Sequence, residues 1–105
     1  MTPDIDLVLE ALADQTRRTI FEHIVVRSRR IGDLAEIMPV SRQAVSHHVG
    51  VLESAGLVQN NAHTIEVVVE ALPQLRTYFD RLWLEASLGD NWLSRRRSTI
   101  DDQRL

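Results

Sequence analysis

The sequence contains no cysteine. That removes disulfides, a thiolate nucleophile, thiol redox sensing and thiolate-bound metals together. It also contains no lysine: all 12 basic residues are arginine, a bias that points to genome base composition before function. No apolar run approaches the ~18 residues that a membrane-spanning helix needs. The N-terminus, MTPDIDLVLEAL, is acidic and lacks the basic stretch of a signal peptide. These absences lead to the expectation of a soluble cytoplasmic protein with no membrane partner.

What is present fits one small globular domain. The chain has 105 residues, 44% hydrophobic and 26% charged. A domain of this size buries only part of its surface and is marginal alone, so dimerisation would help it. The net charge of −3 taken by itself argues against a nucleic-acid partner. The arginines, however, cluster at Arg17 and Arg18, at Arg27, Arg29, Arg30 and Arg42, and at Arg95, Arg96 and Arg97, with none between Arg42 and Arg76.

Hydrophobic periodicity and end signals divide the chain. Ile5, Val8, Leu9 and Leu12 have helical spacing, and Asp4 is a fair N-cap for that first helix. Asp14 caps a second helix over residues 15 to about 26, with Ile20, Phe21 and Ile24 on one face. The RSRR segment, residues 27–30, reads as a loop or short edge strand. A third helix covers about residues 31–38 and ends at Pro39. Ser41 caps a fourth helix over about 42–55, and Gly56 suits the left-handed position after it. Two helices thus flank the short break Pro39-Val40-Ser41, which is helix-turn-helix spacing.

Beyond Gly56 the residues turn β-rich. Leu57-Val58-Gln59 and the run 64–69 predict a short hairpin, with Asn60-Asn61-Ala62 between the strands and asparagine supplying the positive φ. A fifth helix starts at about Leu72, with Leu72, Leu75, Phe79, Leu82, Trp83 and Ala86 in a long apolar stripe, and Gly89 ends it. The expected division is a domain over 1–89 and a polar, Arg-rich tail over 90–105. The fold class is mainly α with a small β-hairpin, in the order α-α-α-α-β-β-α of a winged helix-turn-helix.

The fourth helix carries the chemistry. One face, Ala44, Val45, Val49 and Leu52, packs inward. The other presents Arg42, Gln43, Ser46, His47 and Gly50, small and polar groups where a merely solvated helix carries charged pairs. In a major groove glutamine reads adenine, arginine reads guanine, and serine and histidine are adaptable donors. Arg17 and Arg18 in the first turn of the second helix, and Arg42 at the start of the fourth, stand where the helix dipole disfavours cations. A phosphate at those ends would reverse the sign; for Arg17 and Arg18, simple tolerance of a small penalty is an equal alternative.

The segments ALADQTRRTIFEHI and IGDLAEIMPVSRQAVSHHVGVLESAGLV resemble the ArsR/SmtB family of bacterial winged-helix repressors. The resemblance covers about residues 9–58. It implies a homodimer joined through the first and last helices, and repression by occupying a palindromic operator in double-stranded DNA, often the protein's own promoter. By position, Ser41, Arg42, Gln43, Ser46, His47 and His48 match the family's DNA-reading helix. The dimer interface would draw on Ile5, Val8 and Leu12 of the first helix and Leu75, Phe79, Leu82 and Trp83 of the fifth, setting the two reading helices about one DNA turn apart.

The chain departs from the family pattern in three places. Metal sensors of the family use cysteine on the third helix, or aspartate, histidine and glutamate on the fifth. Here the third helix starts Ile31-Gly32-Asp33-Leu34, the fifth has no histidine, and His23, His47, His48 and His63 are dispersed. The expectation is the metal-independent branch, with no cofactor and no metal. Gly50 stands where relatives often carry a basic residue. The wing is short and has neither arginine nor lysine, leaving His63 as its one candidate cation. The acidity, the uncharged wing and Gly50 leave an alternative open: a protein-interaction module on a winged-helix scaffold with little DNA affinity. No aspartate, histidine or serine lies in a nucleophile motif, so an enzyme is not expected.

Overall fold

A computed structural model describes residues 4–89; the tail over 90–105, with its Arg95, Arg96 and Arg97 cluster, lies outside the described residues. The elements run α1 (Ile5–Ala13), α2 (Gln15–Val26), α3 (Ile31–Ile37), α4 (Arg42–Ser54), β1 (Val58–Asn61), β2 (Thr64–Val67), a 3₁₀ turn (Val69–Ala71) and α5 (Leu72–Leu88). The fold is the expected one, five helices and an antiparallel hairpin. Its contacts divide it into one unit ending at Gln74 and a second beginning at Leu75.

Helix starts follow the local signals. The Asp4 carboxylate accepts a hydrogen bond from the Asp6 backbone N–H, and that of Asp14 accepts from the Arg17 N–H at 2.8 Å. Ser41 Oγ accepts from the Ala44 N–H at 3.1 Å. Each side chain satisfies one of the orphan donors that a helix start leaves. Helix α3 stops because Met38 is extended, at φ −102° and ψ 143°, as a residue preceding proline prefers. Gly56 closes α4 at φ 79°, a left-handed conformation that costs glycine nothing.

The first unit is built around Val8, Ile20, Ile24, Leu34, Val45, Leu52 and Leu57, all below 2% exposed. Full burial of such a side chain contributes about 1.5–3 kcal/mol. Helices α1, α3 and α4 all contribute to this core along with α2, and the hairpin adds Val58 and Ile65. Strands β1 and β2 pair from Val58 opposite Val67 to Asn61 opposite Thr64. Arg29 forms an antiparallel bridge with Ile65, exchanging backbone hydrogen bonds of 3.0 and 2.7 Å. The RSRR segment is therefore a one-residue edge strand on β2.

The hairpin corrects one expectation. Asn60 and Asn61 belong to β1, and the turn is Ala62-His63, both left-handed at φ 53° and 70°. Two positive φ values match the right-handed twist of the flanking strands. Asparagine still takes part, but through its side chain: Asn60 Oδ1 accepts from the His63 N–H at 3.0 Å.

In the second unit, α5 buries none of its side chains. Phe79 is 54% exposed, Leu82 39% and Trp83 69%.

Candidate nucleic-acid interface

Helix α4 divides as its periodicity requires. Val45, Val49 and Leu52 are buried, while Arg42, Gln43, Ser46, His47 and Gly50 are exposed, and Ser41 stands exposed at the N-cap. The exposed face has no carboxylate before Glu53. Five of the six residues matched to a DNA-reading helix therefore share one solvent-facing surface.

His48 does not share it. Its side chain is half-buried and its Nδ1 is enclosed without a hydrogen-bond partner. It lies near Asp14, the N-cap of α2. The Asp14 carboxyl is held below its ordinary range first by the Arg17 N–H, against the opposing effect of burial, and then by the nearby charges of His48 and Arg17. The reason is angular: at about 100° per residue His48, three residues after Val45 and four before Leu52, falls at the edge of the buried stripe, whereas Ser46 and His47 fall on the outer side. Among the described residues, no group of three or more histidines and carboxylates is placed to hold a metal ion.

Arg17 and Arg18 have partners that the sequence did not suggest. Arg17 Nε donates to the Ala11 carbonyl at 2.7 Å, and Arg18 Nη1 donates to the Leu12 carbonyl at 2.8 Å. Their guanidinium groups thus reach back to the last turn of α1, where the helix dipole favours a cation. The penalty expected at the α2 N-terminus is offset by the C-terminus of the preceding helix. Their position has a structural reason independent of any phosphate.

Arg42 turns toward α3. Its guanidinium lies over Gly32, so that a β-carbon at residue 32 would meet Nη1 at 3.8 Å. It borders a cleft of about 430 Å³ between residues 30–33, Arg42 and the wing residues Asn60 and His63. This cleft places two arginines beside a wing that carries none of its own. Arg30, which the sequence places in an arginine cluster without assigning it to the reading helix, lines this cleft with Arg42. The signal was its place directly before α3, but only the folded hairpin brings His63 alongside.

The residues expected at a dimer interface fall into two groups. Phe79, Leu82 and Trp83 are exposed, and Ile5, Leu12 and Leu75 are half-buried. Val8 is a correction: at 1% exposed it belongs to the core of its own chain and has no surface left to bury against a partner. Leu7, its neighbour on α1, is 48% exposed.

Comparison with known proteins agrees with this geometry. Residues 12–59 match the helix-turn-helix domain family. The chain is 41% identical to the HTH-type transcriptional regulator Rv2034 of Mycobacterium tuberculosis over 88 residues, 80% of this chain and 82% of that one. It is 32% identical over 54 residues to the transcriptional repressor SdpR of Bacillus subtilis, covering 51% of this chain and 60% of that protein. Among solved structures it is similar to an ArsR-like transcriptional regulator from Rhodococcus sp. RHA1, with a TM-score of 0.70, 25% identity and coverage of 93% of this chain and 90% of that one. The helix-turn-helix, the polar face of α4 and these relatives together place the chain in the ArsR family of winged helix-turn-helix transcriptional regulators, proteins that act by binding DNA.

Proposed function

We propose that the protein is a cytoplasmic, homodimeric repressor that occupies a palindromic operator without a bound metal. The observation that carries this reading is the exposed face of α4, with Arg42, Gln43, Ser46 and His47 free of carboxylate neighbours above a buried Val45-Val49-Leu52 face. A polyanion is the partner this surface suits. Gln43 is the candidate for base reading, because an amide can pair bidentately with adenine. Arg42 contacts phosphate, and Arg17 and Arg18 add the N–H groups not engaged with α1. The two copies meet through Ile5, Leu12, Leu75, Phe79, Leu82 and Trp83. Exposed phenylalanine, leucine and tryptophan on one helix form an apolar surface of the kind that marks a protein interface. Symmetry in the dimer dictates symmetry in the operator.

The test is binding of the purified protein to DNA from upstream of its own reading frame and to a scrambled duplex. Selective binding is expected, and Gln43→Ala should lower operator affinity by about 1–3 kcal/mol while leaving the scrambled duplex unaffected. Equal weak binding to both duplexes, followed by a random-sequence selection that enriches nothing, would overturn the repressor reading in favour of a protein-interaction module.

A further inference from the structure

The cleft at the foot of the wing has a distinctive lining. Arg30 precedes α3, Arg42 opens α4, and His63 sits on the left-handed turn between β1 and β2. Among the described residues the only ion pair is Arg76–Asp80, so neither guanidinium is matched by a carboxylate. Asp33 also borders the cleft, but its Oδ2 accepts from the Arg30 backbone N–H at 3.2 Å, so that oxygen serves the start of α3. The Arg42 guanidinium lies against α3 at Gly32, where an added β-carbon would make ordinary contact with Nη1 at 3.8 Å. Asn60 holds the turn by accepting from the His63 N–H. Two guanidinium groups without an ion-pair partner among the described residues, and an imidazole, at the rim of one open cleft suit a tetrahedral anion.

We propose that this cleft is a phosphate seat that binds one backbone phosphate of the duplex lying against α4. The proposal rests on the reading of α4 as the DNA-contacting helix. It resolves the puzzle of a wing without arginine or lysine: the cations at the wing are supplied by Arg30 and Arg42, and the wing contributes the His63 side. A DNA phosphodiester and a free phosphate group share the chemistry that the cleft recognises. The duplex is favoured because the cleft is open and continuous with the start of the exposed α4 face.

Fluorescence anisotropy of a labelled upstream or selected duplex over 50 to 200 mM salt tests the seat. Each lost phosphate contact lowers the log–log salt slope by about 0.9. With two seats per dimer, the wild-type protein should lose about tenfold more affinity across that range than Arg30→Ala does. Arg30→Lys should restore most of the slope, since a point charge suffices. Gln43→Ala should leave the slope unchanged and relax only the sequence preference. Asp33→Asn keeps an acceptor for the Arg30 N–H and removes a like charge, so it should tighten binding a few-fold to any duplex.

A second arm works without DNA: inorganic phosphate is titrated into the free protein while the arginine Nε–H signals are followed by NMR. Saturable, paired shifts at Arg30 and Arg42 that vanish in Arg30→Ala support the seat even where no duplex binds, the outcome in which the repressor reading alone fails. Shifts with an unchanged salt slope overturn the duplex assignment in favour of a free phosphate compound. No shift together with an unchanged slope overturns the seat altogether.

Discussion

Helices α4 and α5 are both amphipathic, yet they dispose of their apolar faces in opposite ways. Helix α4 buries Val45, Val49 and Leu52 within its own chain and offers water small polar groups. Helix α5 buries nothing and shows Phe79, Leu82, Trp83, Leu84 and Leu88. A polar outer face is stable in water and selects a polar partner, whereas an apolar outer face is costly until covered. On the proposed function the two helices suit different partners, a polyanion for α4, recognised by hydrogen-bond pattern, and an apolar surface for α5, recognised by area.

The largest expected effect comes from removing the area. Phe79→Glu with Trp83→Glu should convert the proposed dimer to monomer in sedimentation velocity. Operator affinity should fall on the order of 10²-fold, because two linked half-sites bind with avidity and one does not. The variant should keep its helix content, since both side chains are exposed. An unchanged sedimentation coefficient would break the comparison at α5.

Next comes the buried face of α4. Leu52 is 0% exposed and Leu84 is 50% exposed. Leu52→Ala should cost about 2–5 kcal/mol in denaturant unfolding at a concentration where the protein is monomeric. Leu84→Ala should cost little there and act only at concentrations where α5 is covered. Equal losses for both substitutions would mean that α5 shares the core.

Two backbone substitutions have smaller effects and differ in their consequences for DNA. Gly50 lies mid-helix with nothing within 4 Å of an added β-carbon. Gly50→Ala should therefore stabilise the fold by about 0.5–1 kcal/mol. If the glycine provides clearance for a DNA backbone, the same variant binds operator more weakly; unaltered affinity would show it to be neutral drift. Ala62→Asn, at φ 53°, should stabilise the hairpin by up to about 1 kcal/mol, because asparagine tolerates the left-handed region better than alanine. It lies outside the α4 face and should leave sequence preference untouched.

The smallest effect is on acid stability. The Asp14 carboxyl is shifted below its ordinary range, chiefly by the Arg17 N–H it accepts. A carboxyl depressed on folding stabilises the protein fully above its unfolded value and loses that contribution as pH falls through the folded one. Denaturant midpoints should therefore drop below about pH 4. Asp14→Asn, which still caps α2, should flatten that drop. A profile identical to wild type would remove the charge from the account of this cap.

Much of this was legible in the sequence, for reasons that differ by element. The limits of α2 and α4 were readable because Asp14 and Ser41 cap from within three residues of the N–H groups they satisfy. The exposed α4 face was readable because a fixed helical period sorts side chains into two faces, and the same period sets His48, three residues after Val45 and four before Leu52, beside the buried stripe. The hairpin turn was misread because alanine has no preference for positive φ; pairing of Asn61 with Thr64 leaves Ala62 and His63 no other conformation. The contacts of Arg17 and Arg18 with α1 were not readable, because a sequence shows the helix they begin and not the carbonyls of α1 they reach.

The sequence by itself determined where helices start and stop, the helix-turn-helix spacing and the polar character of the exposed α4 face, since capping and periodicity act over a few residues. Only the tertiary structure decided that Val8 is core, that Arg17 and Arg18 close the end of α1, and that Arg30, Arg42 and His63 border one cleft. Each of these depends on which elements pack together. That is a property of the whole apolar core and of no single stretch of chain.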